Sequence, residues 1–229
     1  MKFIGHLDMV RYFQKAMRRA QIPAAFTKGY SPHMVMSFAH PLGVGLTSEA
    51  EYIDVELKER ISSKQAIKQL GQVMAEGVEV FCFVEIAPEK KFSGMTIVAA
   101  ADYLVPKEAL DTVVIDEKMV DAFIGQKEIL ITKQTKRSEK IVDIKPMIYK
   151  LEVVPEGIFM QVATGSKENL KPSLVMEAFF AFMESSLAVG TCFTTEKQST
   201  RCLTYHRKEI YAEVEGALVS LESLGKEIV

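Results

Sequence analysis

The sequence predicts an α+β chain of two ferredoxin-like (βαββαβ-type) halves, the first lacking its N-terminal strand. Three observations predict it. Apolar spacing switches repeatedly between the helical period and strict alternation, KKFSGMT at 90–96 reads as a linker, and 229 residues suffice for two domains of about 100 residues each. The halves fall at 1–89 and 97–229.

The first element is MKFIGHLDMVRYFQKAMRRA. On a helical wheel Met9, Val10, Phe13, Ala16, Met17 and Ala20 gather on one side, and Arg11, Lys15, Arg18 and Arg19 gather opposite. This is an amphipathic helix with a basic outer face. Gly5 or His6 starts it, Asp8 lies in the first turn where a carboxylate suits the positive helix end, and Pro23 stops it.

Ala24 to Phe38 reads as strand and irregular loop, interrupted by Gly29 and Pro32, and Gly43 and Gly45 then permit a tight connection. Next, Ile53, Val55 and Leu57 alternate with Asp54 and Glu56, as a half-buried strand demands. Ser62 or Ser63 caps a second helix with Ile67, Leu70, Val73 and Met74 inward and Gly77 at its end. VEVFCFVEIAP at 78–88 follows as a buried strand.

The first half therefore runs helix, strand, strand, helix, strand, the ferredoxin-like order without its first strand. That strand is interior in such a sheet, so its loss leaves unpaired backbone groups and an open apolar face. Two expectations follow. Either the chain starts at an internal Met, which is the favoured one, or a strand from elsewhere substitutes.

In the second half IVAAADYLV predicts a strand, Asp116 to Ile124 a helix, and EILITK a strand. TKRSEK at 135–140 is a charged hairpin tip from which IVDIK returns. GIFMQVAT predicts another strand, and KPSLVMEAFFAFM a helix with Leu174, Val175, Ala178, Phe179 and Phe182 inward. Residues 191–206 are expected as a last strand and Ile210 to Leu224 as a terminal helix. No sequence repeat relates the halves.

Composition narrows the function classes. Hydrophobic residues at 48% and charged residues at 25%, with Lys+Arg 28 against Asp+Glu 30, are ordinary for a globular chain. The net charge of −2 restricts any nucleic-acid contact to a local patch, and the helix at 11–19 is the place for it. Cys82, Cys192 and Cys202 form no close pair, which fits a reduced cytoplasmic location. No apolar run reaches the roughly 20 residues a membrane helix needs, so no membrane partner is expected.

The densest chemical cluster joins GHLD at 5–8, RYFQKAMRR, GYSPH at 29–33 and GLTSEAEY at 45–52. If the helix start and the loops share one sheet end, His6, Asp8, Arg11, Tyr30, Ser31, His33, Ser48 and Glu49 come within reach of one another. His6 suits general acid–base work, the chemistry for which imidazoles are most often used, while the simpler reading has it capping or packing the helix start. Asp8 and His33 are the other acid–base candidates.

His6, His33 and His40 match no metal-ligand spacing, so no metal is assigned, and the absence of CxxC excludes a cluster held by this chain alone. The cations Arg11, Lys15, Arg18 and Arg19 suit phosphate contacts, with Tyr30 as a base-stacking ring. The alternative is a solvated helix face. Gly29, Pro32 and Gly45 are also explained by backbone needs, and GVG at 43–45 reads as a turn. A sparser second-half set comprises Asp143, Lys171–Pro172, Arg201 and Tyr205, for which capping and pairing are the simpler account.

The stretch GHLDMVRYFQKAMRRAQIPAAFTKGYSPHMVMSFAHPLGVGLTSEAEYIDVEL resembles the radical SAM-linked proteins, a bacterial domain fused to or encoded beside radical SAM enzymes. Its pattern, approximately SHLDLMR, RRA, P, S-x-GF-x-P, SFA-x-P-L and G-x-x-SE-x-EY-x-D, is matched through His6, Leu7, Asp8, Arg11, Arg18, Arg19, Ala20, Pro23, Gly29, Pro32, Ser37, Phe38, Pro41, Leu42, Gly45, Ser48, Glu49, Glu51, Tyr52 and Asp54. Asp143, Pro146, Pro172, Arg201 and Tyr205 fit its weaker second-half pattern. Gly5 stands where the family has Ser and Tyr30 where Phe is usual, and similar members carry a short strand before the helix.

The resemblance implies an accessory substrate-recognition protein for a radical SAM enzyme, which would itself carry S-adenosylmethionine and the iron–sulfur cluster. It implies RNA or a ribosomal component as substrate. An RNA-processing or RNA-modifying enzyme using His6, and a structural protein–protein adaptor, are the alternatives.

Overall fold

The structure, a computed structural model, describes residues 2–88, 93–110, 115–134, 139–187 and 203–229. Most of the strand expected at 191–206, the hairpin tip at 135–138 and part of the linker lie outside these residues. The chain divides into two compact units, Met1–Ala99 with Ile210–Val229, and Ala100–Glu209. Residues 210–229, expected with the second half, therefore belong to the first unit.

The first unit begins with α1 (His6–Arg19), whose N-cap is Gly5 and whose buried stripe is Phe13, Ala16 and Met17. It ends before Pro23. Gln21 takes a left-handed φ of 55°, and the N–H groups of Gln21 and Ile22 donate to the carbonyls of Arg18 and Met17 at 3.1 and 3.0 Å. This closing pair of hydrogen bonds puts Met17 and Ile22 into one core with Ala24, Met34, Ala66 and Leu70.

Three short strands follow: β1 (Met36–Phe38), β2 (Thr47–Ser48) and β3 (Ile53–Val55). β1 and β3 pair antiparallel with Met36 opposite Val55 and Phe38 opposite Ile53. α2 (Ser63–Gly71) is capped by Ser62, whose Oγ accepts the N–H of Gln65, and it stops six residues short of Gly77.

The buried strand expected at 78–88 is corrected. Only β4 (Val84–Glu85) is a strand, paired with β12 (Lys226–Glu227), and Phe81 is 68% exposed. A run of alternating apolar residues forms a buried strand only between two paired neighbours, and here the second neighbour is lacking among the described residues. The four-residue α3 (Gly94–Ile97) follows, its Gly94 N–H donating to Asp54 Oδ2 at 2.8 Å. Burial raises the pKa of the Asp54 carboxyl against the lowering effect of this bond.

The terminal helix expected at Ile210–Leu224 is also corrected. The segment is a hairpin of β10 (His206–Val214) and β11 (Ala217–Ser220), with Val214 opposite Ala217. Ile210 and Ala212 are both buried, which is the strand period, and Glu215 and Gly216 take φ of 51° and 81°, as a two-residue hairpin turn requires. β12 then closes the unit: Ser63 N–H donates to the Ile228 carbonyl at 2.9 Å while Ser63 Oγ accepts the Ile228 N–H at 2.8 Å.

The second unit contains all but the first two residues of β5 (Val98–Pro106), then α4 (Glu117–Ile124), a hairpin of β6 (Leu130–Gln134) and β7 (Glu139–Asp143), β8 (Ile148–Val154), β9 (Gly157–Ala163) and α5 (Pro172–Leu187). The first residues of β10 belong to it, and the strand order is β10-β5-β9-β8. Asp116 Oδ1 caps α4 through the Met119 N–H at 2.9 Å. Phe123 of α4 meets Phe179 of α5 edge-on at 5.2 Å over the buried Ile158, Met160 and Val162 of β9. β8 is the strand the sequence reading lacks: an irregularity between Ile148 and Lys150 breaks its alternation.

Candidate nucleic-acid interface

The outer face of α1 carries its four cations in four different settings. Arg11 Nη1 pairs with Asp8 Oδ1 at 3.1 Å, both side chains mostly exposed. Such a surface pair is worth about 0.3–0.5 kcal/mol, so it holds neither residue firmly. Arg19 Nη2 donates to the Val73 carbonyl at 3.1 Å, just beyond the end of α2. Lys15 is exposed. The Arg18 guanidinium lies 5.7 Å from the centre of the Phe26 ring, and Lys58 Nζ lies 5.2 Å from the same ring.

Phe26 opens an exposed excursion, residues 27–33, closed by its bridge to Met34. Within it Thr27 N–H donates to the His33 carbonyl at 2.8 Å, and His33 N–H donates to Thr27 Oγ1 at 2.9 Å. Gly29 has φ 118°, a conformation that L side chains rarely adopt. Tyr30 is wholly exposed, flanked by the exposed Ser31 and Pro32. An aromatic ring in water on a short closed loop, four residues from a ring touched by two cations, suits a flat unstacked base and its phosphate.

The acid–base candidates have separate partners. The His6 ring packs edge-on against Phe38 at 5.2 Å, Phe38 meets Phe13 at 5.7 Å, and Asp8 is the partner of Arg11. His33 is held through its backbone, and His40 is half-buried. Ser48 Oγ accepts the Ala50 N–H at 3.0 Å, stabilising the turn that exposes Glu49. Gly45 has φ 93° and its N–H donates to the Lys2 carbonyl at 2.8 Å. These positions are explained by backbone geometry.

In the second unit Asp143 Oδ1 accepts the N–H groups of Ile129 and Lys145 at 2.9 and 3.0 Å, which fixes the turn after β7. Tyr205 is buried, and its hydroxyl pKa is pushed well up by desolvation and by the Glu177 carboxylate. Arg201 lies outside the described residues. Sequence reasoning missed Phe26 and Lys58, although Lys58 continues the outward series Asp54, Glu56. It also missed Arg207, fully buried in β10, because a cation in a strand reads as solvent-facing.

Among the described residues no group of three or more His, Cys, Asp or Glu side chains is arranged to hold a metal ion. None of their helices is long and apolar enough to cross a membrane.

The fold and surface thus define an α+β protein of two units with a cation and aromatic face on the first. The chain belongs to the family described as "Uncharacterized protein conserved in bacteria (DUF2344)", whose family model matches residues 1–172. That span includes all of α1, the 27–33 excursion and Lys58. No curated protein matches the chain, and no solved structure matches it.

Proposed function

We propose that this is an accessory recognition protein that binds single-stranded RNA through Lys15, Arg18, Lys58 and Tyr30. The observation that carries the reading is the Phe26 ring with Arg18 and Lys58 upon it, on the excursion that puts Tyr30 wholly into solvent. Each cation–ring contact is worth about 0.5–1 kcal/mol at an exposed site, which orients the cation without neutralising it. Phosphates take the cations and a base stacks on Tyr30. Arg11 and Arg19, already engaged, contribute less.

The resemblance to the radical SAM-linked proteins supports a radical SAM enzyme as partner. In that case S-adenosylmethionine and the cluster belong to the partner, and this chain positions the substrate. We read the second unit as ferredoxin-like, with the β6–β7 hairpin inserted into a βαββαβ order. Its strand order β10-β5-β9-β8 supports this reading, since it is the 4-1-3-2 arrangement of that fold. The first unit is read as the same fold without its first strand.

Fluorescence anisotropy with a short labelled single-stranded RNA, at low and at moderate salt, tests the function. Expected is binding that weakens steeply with salt and is lost when Arg18→Glu and Lys58→Glu are combined. Affinity that stays flat with salt, or survives the double reversal, overturns the reading.

A further inference from the structure

The second unit contains a pocket of about 280 Å³ between the β6–β7 hairpin and the loop that leads from β9 to α5. Its walls are apolar: Ile131 and Val142 from the hairpin, Ile144 and Met147 just after it, and Leu170 and Leu174 beside the start of α5. Ile131 and Val142 stand opposite each other in the hairpin register, so both side chains leave one face of the ribbon. That face is turned to the pocket, while Leu130 and Ile141 on the other face are exposed.

The walls are held by bonds outside the pocket. Asp143 Oδ1 takes the N–H groups of Ile129 and Lys145, and Ile144 N–H donates to the Ile129 carbonyl at 2.8 Å, which fixes the base of the hairpin. On the other side Leu170 N–H donates to the Ala163 carbonyl at 2.9 Å and closes the loop at 164–169. Ile144 and Leu170 are buried, but Ile131, Val142, Met147 and Leu174 stay half-buried although each lines the recess. Apolar surface left wet inside a preformed recess is surface that a small apolar group covers favourably.

The rim has a different chemistry. Lys167, Glu168 and Asn169 line the pocket and are exposed, and among the described residues neither Lys167 nor Glu168 is in an ion pair. One ammonium, one carboxylate and one amide thus stand over an apolar wall. Their charges cancel, which suits neither a phosphate nor a bare cation. A ligand with both signs of charge beside an apolar tail matches wall and rim together. At about 280 Å³ the pocket falls below the roughly 300–1,000 Å³ of drug-sized sites, which limits that ligand to a small metabolite.

We propose that this pocket binds a free α-amino acid with an apolar side chain, of the size of leucine or methionine. The ligand's side chain lies on Ile131, Val142 and Leu174, its carboxylate meets Lys167, and its ammonium meets Glu168. The ligand thereby joins the hairpin to the start of α5. The inference is independent of RNA binding, which is proposed for the first unit.

Amide NMR of the full chain titrated with free leucine tests it. Two analogues each lack one charge: isocaproate has no ammonium, and isopentylamine has no carboxylate. N-acetyl-leucinamide has neither and mimics a leucine side chain within a peptide. Expected are saturable shifts at Val142 and Leu170 with leucine, and binding weakened about two- to fivefold by Lys167→Ala or by Glu168→Ala, the worth of an exposed ion pair. Glu168→Ala is expected to leave isocaproate binding undiminished, and Lys167→Ala to leave isopentylamine binding undiminished, a crossed pattern that a loss of structure does not produce. No saturable shift up to about 10 mM leucine overturns the proposal. N-acetyl-leucinamide binding as tightly as leucine also overturns it, by assigning the pocket to a side chain of a protein partner.

Discussion

The hydroxyl of Tyr12, in the middle of α1, accepts the backbone N–H of Ala75 at 2.7 Å and donates to Met74 Sδ at 3.4 Å. With Arg19 on the Val73 carbonyl, one face of α1 holds three successive residues of the segment after α2. Tyr12→Phe removes the acceptor and leaves the Ala75 N–H to water. A loss of about 0.5–1.5 kcal/mol is expected in urea unfolding, with RNA affinity unchanged.

The cations of α1 are expected to separate by role. Arg18→Glu and Lys58→Glu each reduce the salt dependence of RNA binding by about one unit of slope and cost at most about 0.5–1 kcal/mol of stability through the lost contact with Phe26. Arg19→Glu lowers stability through the lost bond to Val73, and Arg11→Glu has the smallest effect on affinity. Anisotropy titrations across a salt series, paired with urea unfolding, measure both columns.

Tyr205 links stability to alkaline pH. Its folded-state pKa is raised by burial and then by Glu177, so the unfolded chain loses the phenolic proton first. The folded state binds more protons, and stability falls as pH climbs past about 10. Tyr205→Phe is expected to flatten this fall, read as the change in unfolding midpoint between pH 9 and 11 relative to the parent.

Phe123 is 1% exposed and touches both Phe179 and Phe182, at 5.2 and 5.7 Å. Phe123→Ala is expected to destabilise the second unit by about 3–5 kcal/mol through lost burial and a cavity. Calorimetry should show a lowered transition for that unit while α1 and its surface keep their RNA affinity.

Long, strongly periodic elements were legible in the sequence. α1, α4 and α5 fall where their apolar residues recur at helical spacing, and β5 and β9 where short apolar runs end at turn residues. The failures have physical causes. Ile210–Leu224 carries enough spaced apolar residues to pass for a helix, and only the left-handed pair Glu215–Gly216 marks it as a hairpin. The 78–88 run has strand composition, yet composition says nothing about whether a neighbour is present to pair with it. At the candidate site the cations of α1 were legible and their settings were not, because Phe26 and Val73 reach them only through tertiary packing.

The first unit is made of two stretches of chain, with the whole of Ala100–Glu209 between them. A ribosome adding about 5–20 residues per second needs several seconds to pass from one stretch to the other. During that interval Ser63 has no Ile228 to bond and Val84 has no strand beside it, and by its end every residue of the second unit has been translated. Order of synthesis therefore favours completion of the second unit first. The first unit can only finish once residues 210–229 have been made and can reach it, so its assembly follows the synthesis of the whole second unit.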